Sequence, residues 1–290
     1  MAKIDEDYER KRAGASDSSH PSRPNQPTQP TVAVELMANL LPDPWRELKS
    51  FTPARIALGR AGSSLPTQEI LNFGLAHALA RDAIYHSLDL DALKVAVGTL
   101  DWSTLSVHSQ ASNRQNYLLR PDLGRQLDNE SVAHLKSVAT TDGVDLLIVI
   151  ADGLSSLAIE RHAVPLLSAL QPLIPKNWRL GPVVMASQAR VALADQIAET
   201  LNARLVVMLI GERPGLSFPD SLGIYLTYGA KRGCTNAERN CISNVHQAGL
   251  SYADAANKLI WLATEAMHQK TSGVALKDNS DDQDVLLEVK

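Results

Sequence analysis

The chain has only two cysteines, Cys234 and Cys241, close together and unaccompanied. Two thiols cannot build a disulfide framework, so a reducing, cytoplasmic setting is expected. No apolar stretch reaches the length that spans a bilayer, and the N-terminus lacks the apolar core of a signal peptide, so no membrane association is expected. An excess of positive charge is missing too: 28 Lys and Arg stand against 32 Asp and Glu, a formal net charge of -4. Nucleic-acid binders carry a basic face, so nucleic acid is not an expected partner. Several chemical signatures are absent as well. No G-x-G-x-x-G opens a helix after a strand and no Walker sequence occurs, which leaves the common forms of nucleotide binding unsupported. The segment "ADGLSSLA" is not G-x-S-x-G, so Ser155 has no nucleophile-elbow context. His246 lies near Cys241, but a zinc site needs three or four ligands and none cluster there.

What is present is an ordinary globular composition, 44% hydrophobic and 21% charged, over 290 residues, enough for one large domain or two small ones. Residues 1–31 read as a tail: "KIDEDYERKR" is charged, "SDSSHPSRPNQPTQP" is rich in Ser, Pro and Gln, and neither can bury enough surface to order itself. Residues 32–130 read as a helical region. In "PTQEILNFGLAHALARDAIYHSL" the residues Ile70, Leu71, Leu75 and Leu79 recur at helical spacing after Pro66 and Thr67. Gly74 inside that helix costs about 1 kcal/mol of propensity, which points to close packing there.

The rhythm changes over residues 131–275. "VDLLIVIADG", "GPVVMAS", "RLVVMLIGERPG" and "GIYLTYGA" are short, nearly continuous apolar runs, with helical patterns such as "SSLAIERHAVPLLSAL" and "LADQIAETLN" between several of them. That alternation predicts an α/β domain: a Rossmann-like parallel sheet with helices on both faces, preceded by the smaller helical region. The last helix, "YADAANKLIWLATEAMHQK", is expected to end at Gly273 as its C-cap, and residues 276–290 form an acidic tail. Open sheets of this kind place ligands at the carboxyl ends of their strands, which singles out Asp152-Gly153 and the loop from Gly211 to Gly215. Glu212 and Arg213 in that loop read either as a loop salt bridge or as a ligand contact. Arg120, Asp122 and Arg125 read either as a structural ion-pair cluster or as a ligand or partner contact. Cys241 reads as a small packing residue sooner than as a nucleophile.

Taken together, "NYLLRPDLGRQL", "ADGLSSLAI", "ADQIAETLNARLVVMLIGERPGLSFPDSLGIYLTYGA" and "ERNCISNVHQAG" resemble, in order and spacing, the small subunits of ethanolamine ammonia-lyase, over about residues 45 to 274. The resemblance implies a subunit of a carbon–nitrogen lyase that uses adenosylcobalamin to convert ethanolamine to acetaldehyde and ammonia, through homolysis of the cofactor's cobalt–carbon bond and hydrogen abstraction by the adenosyl radical. It implies a hetero-oligomer in which the large subunit, a TIM barrel, carries the substrate site, and this chain closes over the barrel's mouth and holds cobalamin between the two. It also implies three cofactor-binding residues, Val191, Glu212 and Cys241, with no catalytic residue and no metal ligand on this chain. An apolar wall from Val191, an acceptor from Glu212, a loop stiffened by Pro214, and close approach at Gly211 and Gly215 fit a bulky corrin bearing amide side chains. The cobalamin motif D-x-H-x-x-G is absent, which agrees with the cofactor's own base remaining on cobalt. Some members of the family carry an N-terminal extension linked to packing in a bacterial microcompartment; "KIDEDYERKR" makes a poor amphipathic helix, which leaves encapsulation open.

Overall fold

A computed structural model describes residues 40–41, 43 and 45–280 of the chain, and these fall into two compact units. The tail expected over 1–31, and residues 281–290 of the expected acidic tail, lie outside the described residues. One unit, within residues 1–49 and 55–66, contains a two-residue antiparallel ladder of β1 (Leu40–Leu41) and β2 (Arg60–Ala61). The other unit, residues 50–54 and 67–290, carries every other strand and α-helix among the described residues.

That second unit begins with α1 (Thr67–Tyr85) and α2 (Leu90–Gly98), and then adds β3 (Thr104–His108), α3 (Arg114–Leu119) and α4 (Asn129–Val138). The regular α/β part follows: β4 (Val144–Ala151), α5 (Ser156–Leu170), β5 (Val183–Ser187), α6 (Leu193–Thr200) and β6 (Ala203–Gly211). Two more strands, β7 (Leu222–Tyr228) and β8 (Asn240–Val245), precede the long helix α7 (Tyr252–Gln269). Short polar residues start several helices: Asp89, Asn113, Asp128, Ser155 and Ser251 each accept a backbone N–H of the first turn.

The six strands lie in the order β3-β5-β4-β6-β7-β8. β3, β5, β4 and β6 run parallel, as expected of the alternating strands and helices, whereas β7 pairs antiparallel with β6 and β8 antiparallel with β7, so the sheet is mixed. The reason is the length of one link. Residues 212–221 join β6 to β7, and a parallel return needs a crossover of a dozen or more residues. Along each strand the side chains alternate between two cores. Leu146, Ile148 and Ile150 of β4 join Leu205, Val207 and Leu209 of β6 on the side of α5 and α7. Leu147 and Val149 join Val206 and Met208 on the side of α4 and α6, against Leu135, Leu193 and Ile197. Each of these buried aliphatic side chains is worth about 1.5–3 kcal/mol, and the strict alternation fixes the register, since a one-residue slip would exchange the two cores.

Several details differ from expectation. Thr104–His108, inside the stretch read as helical, is the edge strand of the sheet; its Thr and Ser residues interrupt the apolar run that marks the central strands. Helix α1 forms where the periodicity predicts, but Ile70, Leu71, Leu75 and Leu79 point outward, and the helix buries Ala76, Ala80 and Ala83 instead. Gly74 has open space where a side chain would stand, so close packing does not explain it. Helix α7 ends on Lys270, which takes the left-handed conformation with φ 55°. Gly273 instead opens a 3-10 turn, where a Cβ would stand 2.0 Å from the Ala237 carbonyl oxygen. Among the described residues no helix is long and apolar enough to cross a membrane.

Candidate functional site

After β4 the chain crosses through α5 to β5 on one side, and after β5 it returns through α6 to β6 on the other side of β4. The strand order therefore reverses between β4 and β6, and the crevice beyond their carboxyl ends is where open α/β sheets bind ligands. Both loops singled out from the sequence lie there, and they are bonded to each other. The Leu154 N–H donates to the Gly211 carbonyl at 2.9 Å, and Ser155 Oγ donates to the Pro219 carbonyl at 2.8 Å.

Gly211 is needed here for a reason other than ligand approach. A Cβ on it would stand 2.0 Å from the Ser155 carbonyl oxygen, so the missing side chain makes room for the neighbouring loop. Gly215 closes a turn, its N–H donating to the Phe218 carbonyl at 3.1 Å. Beneath these loops Asp152 is buried and accepts backbone N–H groups of Gly153, Gln188 and Ala189 at 2.9, 2.9 and 3.0 Å, tying the ends of β4 and β5 together. Arg114 braces the same loop from outside. It donates to the carbonyls of Gly153 and Leu154 at 2.8 and 3.0 Å and to that of Ile84, near the end of α1, at 2.7 Å. The Ser155 side chain is fully buried as the cap of α5, so a serine nucleophile is excluded by burial.

Glu212 is half-buried and Arg213 exposed, and among the described residues neither forms an ion pair; the salt-bridge reading is not realised. The Ser221 hydroxyl donates to Glu212 Oε2 at 2.5 Å, and the Glu212 N–H donates to the Ser221 carbonyl at 3.0 Å. The other carboxylate oxygen, Oε1, lies over Gly223, where a Cβ would come within 3.0 Å of it, and accepts no hydrogen bond among the described residues. Two residues along β7, on the same side of the sheet, Tyr225 pairs directly with Cys241 of β8. Burial, then Cys241 and Glu212, push the Tyr225 phenol up to about 12. Partial burial of its sulfur raises the exposed Cys241 thiol above its ordinary value, with Glu212 acting in the same direction. Cys241 is thus a protonated thiol at neutral pH, unlike the thiolate a nucleophile needs.

The structure therefore brings Glu212 and Cys241 together around Tyr225. Val191 stands elsewhere on the α6 side of the sheet. It is half-buried against the second core and lines a cavity of about 350 Å3 with Arg125, Arg190 and Cys234, of which neither Glu212 nor Cys241 is a wall. Tyr225, Ser221 and Arg190 were not legible as site residues: a tyrosine in an apolar strand reads as core, and a serine or arginine in a loop reads as solvated. Of the ion-pair cluster, Arg120 and Asp122 pair at 2.7 Å at the surface, whereas Arg125 has no ion pair among the described residues.

Fold and loops together define an open-sheet α/β protein whose candidate site lies at the crevice where the strand order reverses. The family model "Ethanolamine ammonia-lyase light chain (EutC)" matches residues 42–277. The chain is 52% identical over 250 residues to the "Ethanolamine ammonia-lyase small subunit" of Pseudomonas syringae pv. tomato, covering 85% of this chain and 87% of that one. It is 51% identical over 244 residues to the protein of the same name from Ralstonia nicotianae, covering 83% and 90%. With that from Xanthomonas campestris pv. campestris the identity is 50% over 242 residues, covering 82% and 89%. The chain belongs to the family of ethanolamine ammonia-lyase light chains.

Proposed function

We propose that this chain is the cofactor-holding small subunit of an adenosylcobalamin-dependent ethanolamine ammonia-lyase, paired in a hetero-oligomer with a large TIM-barrel subunit that carries the substrate site. The observation that carries the reading is Glu212 Oε1: a half-buried carboxylate oxygen, fixed in place through its partner oxygen by Ser221, with no hydrogen bond of its own. An acceptor held in that way suits a neutral amide N–H, which the corrin periphery offers in number. Beside it Tyr225 pairs with the exposed Cys241 across β7 and β8, and Val191 supplies an apolar wall on the same side of the sheet. These residues fit the group. When bound, the cofactor supplies radical chemistry through homolysis of its cobalt–carbon bond.

The part played by this chain is binding and exclusion. Glu212 orients an amide edge, Cys241 packs without reacting, and the Leu154–Gly211 hydrogen bond anchors the start of the loop that carries Glu212. No side chain here abstracts hydrogen from ethanolamine. The reading places the protein in the cytoplasm; its enclosure in a microcompartment would depend on residues 1–31.

The first test is ammonia release from ethanolamine with adenosylcobalamin and a matching large subunit, with and without this chain. Activity is expected only when both chains are present. A stable complex that binds cobalamin and releases no ammonia would make this a cobalamin-binding scaffold instead. Glu212→Ala is expected to weaken cobalamin binding by about 10- to 100-fold, the worth of a hydrogen bond to a charged acceptor, with the fold intact by circular dichroism. Unchanged affinity in the assembled complex would remove Glu212 from this role.

A further inference from the structure

A separate cavity, of about 430 Å3, opens on the α5 and α7 side of the sheet, the opposite face from Tyr225 and Val191. Its walls are Arg161 and His162 of α5, Phe218 and Asp220 of the β6–β7 link, His246 after β8, and Tyr252 at the start of α7. None of these residues has a part in the cofactor reading.

His162 is the wall that folding leaves unsatisfied. Its side chain is only 4% exposed. Nδ1 lies 2.8 Å from the Tyr252 hydroxyl, whereas Nε2 is buried and has no hydrogen bond among the described residues. The Asp220 carboxylate stands 3.4 Å from Nε2, and the oxygen concerned, Oδ2, accepts from Arg161 Nη1 at 2.8 Å. Burial holds the imidazole below its ordinary value, so the ring is neutral at neutral pH and carries one proton. A carboxylate on the Nε2 side favours that proton on Nε2, with the Tyr252 hydroxyl donating to Nδ1. Nε2–H is then a buried donor without an acceptor, and a ligand that supplies the acceptor is one reason such a group is kept.

The ion pair beside it is easily opened. Arg161 is 55% exposed, and a pair with one partner in solvent is worth little. Arg161 holds only Oδ2 of Asp220, and Oδ1 has no side-chain donor among the described residues. The remaining wall is flat and uncharged: Phe218 stacks on His246 with ring centres 4.4 Å apart. Both nitrogens of His246 are taken within its own turn, by Asn244 Oδ1 at 2.8 Å and by the Ala248 N–H at 3.2 Å, so it offers the cavity only its ring. A simple anion would meet Asp220 here, and a simple cation would meet Arg161. A molecule carrying both charges satisfies each of them, its carboxylate on Arg161 and His162 Nε2–H and its ammonium on Asp220.

We propose that this cavity binds a free α-amino acid with an apolar side chain, its two charges divided between Arg161 with His162 and Asp220, and its side chain against Phe218. A volume of about 430 Å3 admits a ligand of that size. The site stands whether or not the chain holds cobalamin, because it shares no residue with the Glu212 cluster.

The test is isothermal titration calorimetry of the full-length chain with L-leucine and L-phenylalanine. Two analogues of the second each lack one charge: 3-phenylpropanoate has no ammonium, and 2-phenylethylamine has no carboxylate. At least one of the amino acids is expected to bind saturably at one site per chain, and both analogues are expected to bind about tenfold or more weakly than phenylalanine, the worth of a charge-assisted contact. Arg161→Gln and Asp220→Asn are each expected to lose about tenfold or more in amino-acid affinity. Arg161 lies at the surface, so Arg161→Gln keeps the fold even where Asp220→Asn does not, and circular dichroism of each variant tells a lost contact from a lost fold. Absence of binding by both amino acids would overturn the proposal. An analogue that binds as tightly as phenylalanine would overturn the dipolar ligand and leave a site for a simple anion or a simple amine. Amino-acid affinity unchanged in Arg161→Gln would overturn the assignment to this cavity.

Discussion

Tyr225 shows how one residue records the state of its neighbours. Its phenol faces Cys241 across the β7–β8 pair, and burial, Cys241 and Glu212 all oppose its ionisation, holding it near 12. Because the folded pKa lies above the ordinary value of about 10, the folded chain keeps a proton that the unfolded chain releases. The associated stability is complete below pH of about 10 and is lost as pH rises from there towards 12. Phenolate absorbance of the native chain, taken as a difference against Tyr225→Phe, is expected to show one tyrosine titrating near 12. Glu212→Gln should lower that value while leaving it above the ordinary one, because burial is the larger cause. A Tyr225 that titrates near 10 in the wild type would contradict this account of the cluster. Glu212 could be singled out from the sequence only as a candidate, because a carboxylate in a Gly- and Pro-bounded loop at a strand's carboxyl end reads either as a loop salt bridge or as a ligand contact. Cys241 came only from resemblance, since a lone cysteine reads the same in sequence whether it packs against a core or a ligand.

At the scale of elements, the central strands were legible because a strand covered on both faces is apolar at nearly every position, as in "VDLLIVIA" and "RLVVMLIG", where only Asp145 and Arg204 near the strand starts are charged. β3 and β8 were not, because strands near an edge alternate or carry polar residues and resemble loops. The direction of β7 could have been read from the short 212–221 link, whereas the strand order needs contacts that no local pattern contains. β8 is also held by an interaction invisible in sequence. Arg239, just before it, donates to both oxygens of Asp195 on α6 at 2.5 and 2.7 Å, with side chains only 2% and 3% exposed. The same guanidinium reaches Thr227 Oγ1 at 3.2 Å and the Cys234 carbonyl at 3.0 Å. This pair joins the helix that begins beside Val191 to the strand that carries Cys241. Arg239→Met by itself is expected to cost about 3–5 kcal/mol by leaving the Asp195 carboxylate buried and unpaired. The double variant Arg239→Met with Asp195→Leu should recover most of that, since apolar replacements of both partners are often neutral. Urea unfolding midpoints check both; a double variant no more stable than the single one would mean that Thr227 and Cys234 depend on the guanidinium more than Asp195 does.

At the scale of the whole molecule, α1 presents an apolar face that is exposed among the described residues. Its inner side is alanine, and its outer side presents Ile70, Leu71, Leu75 and Leu79 at 53, 61, 61 and 51% exposure. Isolated soluble chains seldom present so continuous an apolar stripe, whereas surfaces that pair permanently resemble a core cut in half. On the reading of this chain as one subunit of a lyase, the stripe is covered by the large subunit, each leucine being worth up to about 1.5–3 kcal/mol when buried. Because Arg114 links the Ile84 carbonyl near the end of α1 to the Gly153 and Leu154 carbonyls, a partner that immobilises α1 also steadies the floor of the candidate site. Replacing Leu71, Leu75 and Leu79 together by serine is therefore expected to leave the isolated chain folded, and to make it less prone to aggregate. Its co-elution with the large subunit should be lost, and cobalamin retention with it. Co-expression followed by size-exclusion chromatography reads the first effect, and corrinoid absorbance of the eluted complex reads the second. A variant that assembles normally would show that the stripe does not face the large subunit. One that assembles but retains less cobalamin would separate the two effects and place α1's contribution in the bracing of the loops through Arg114.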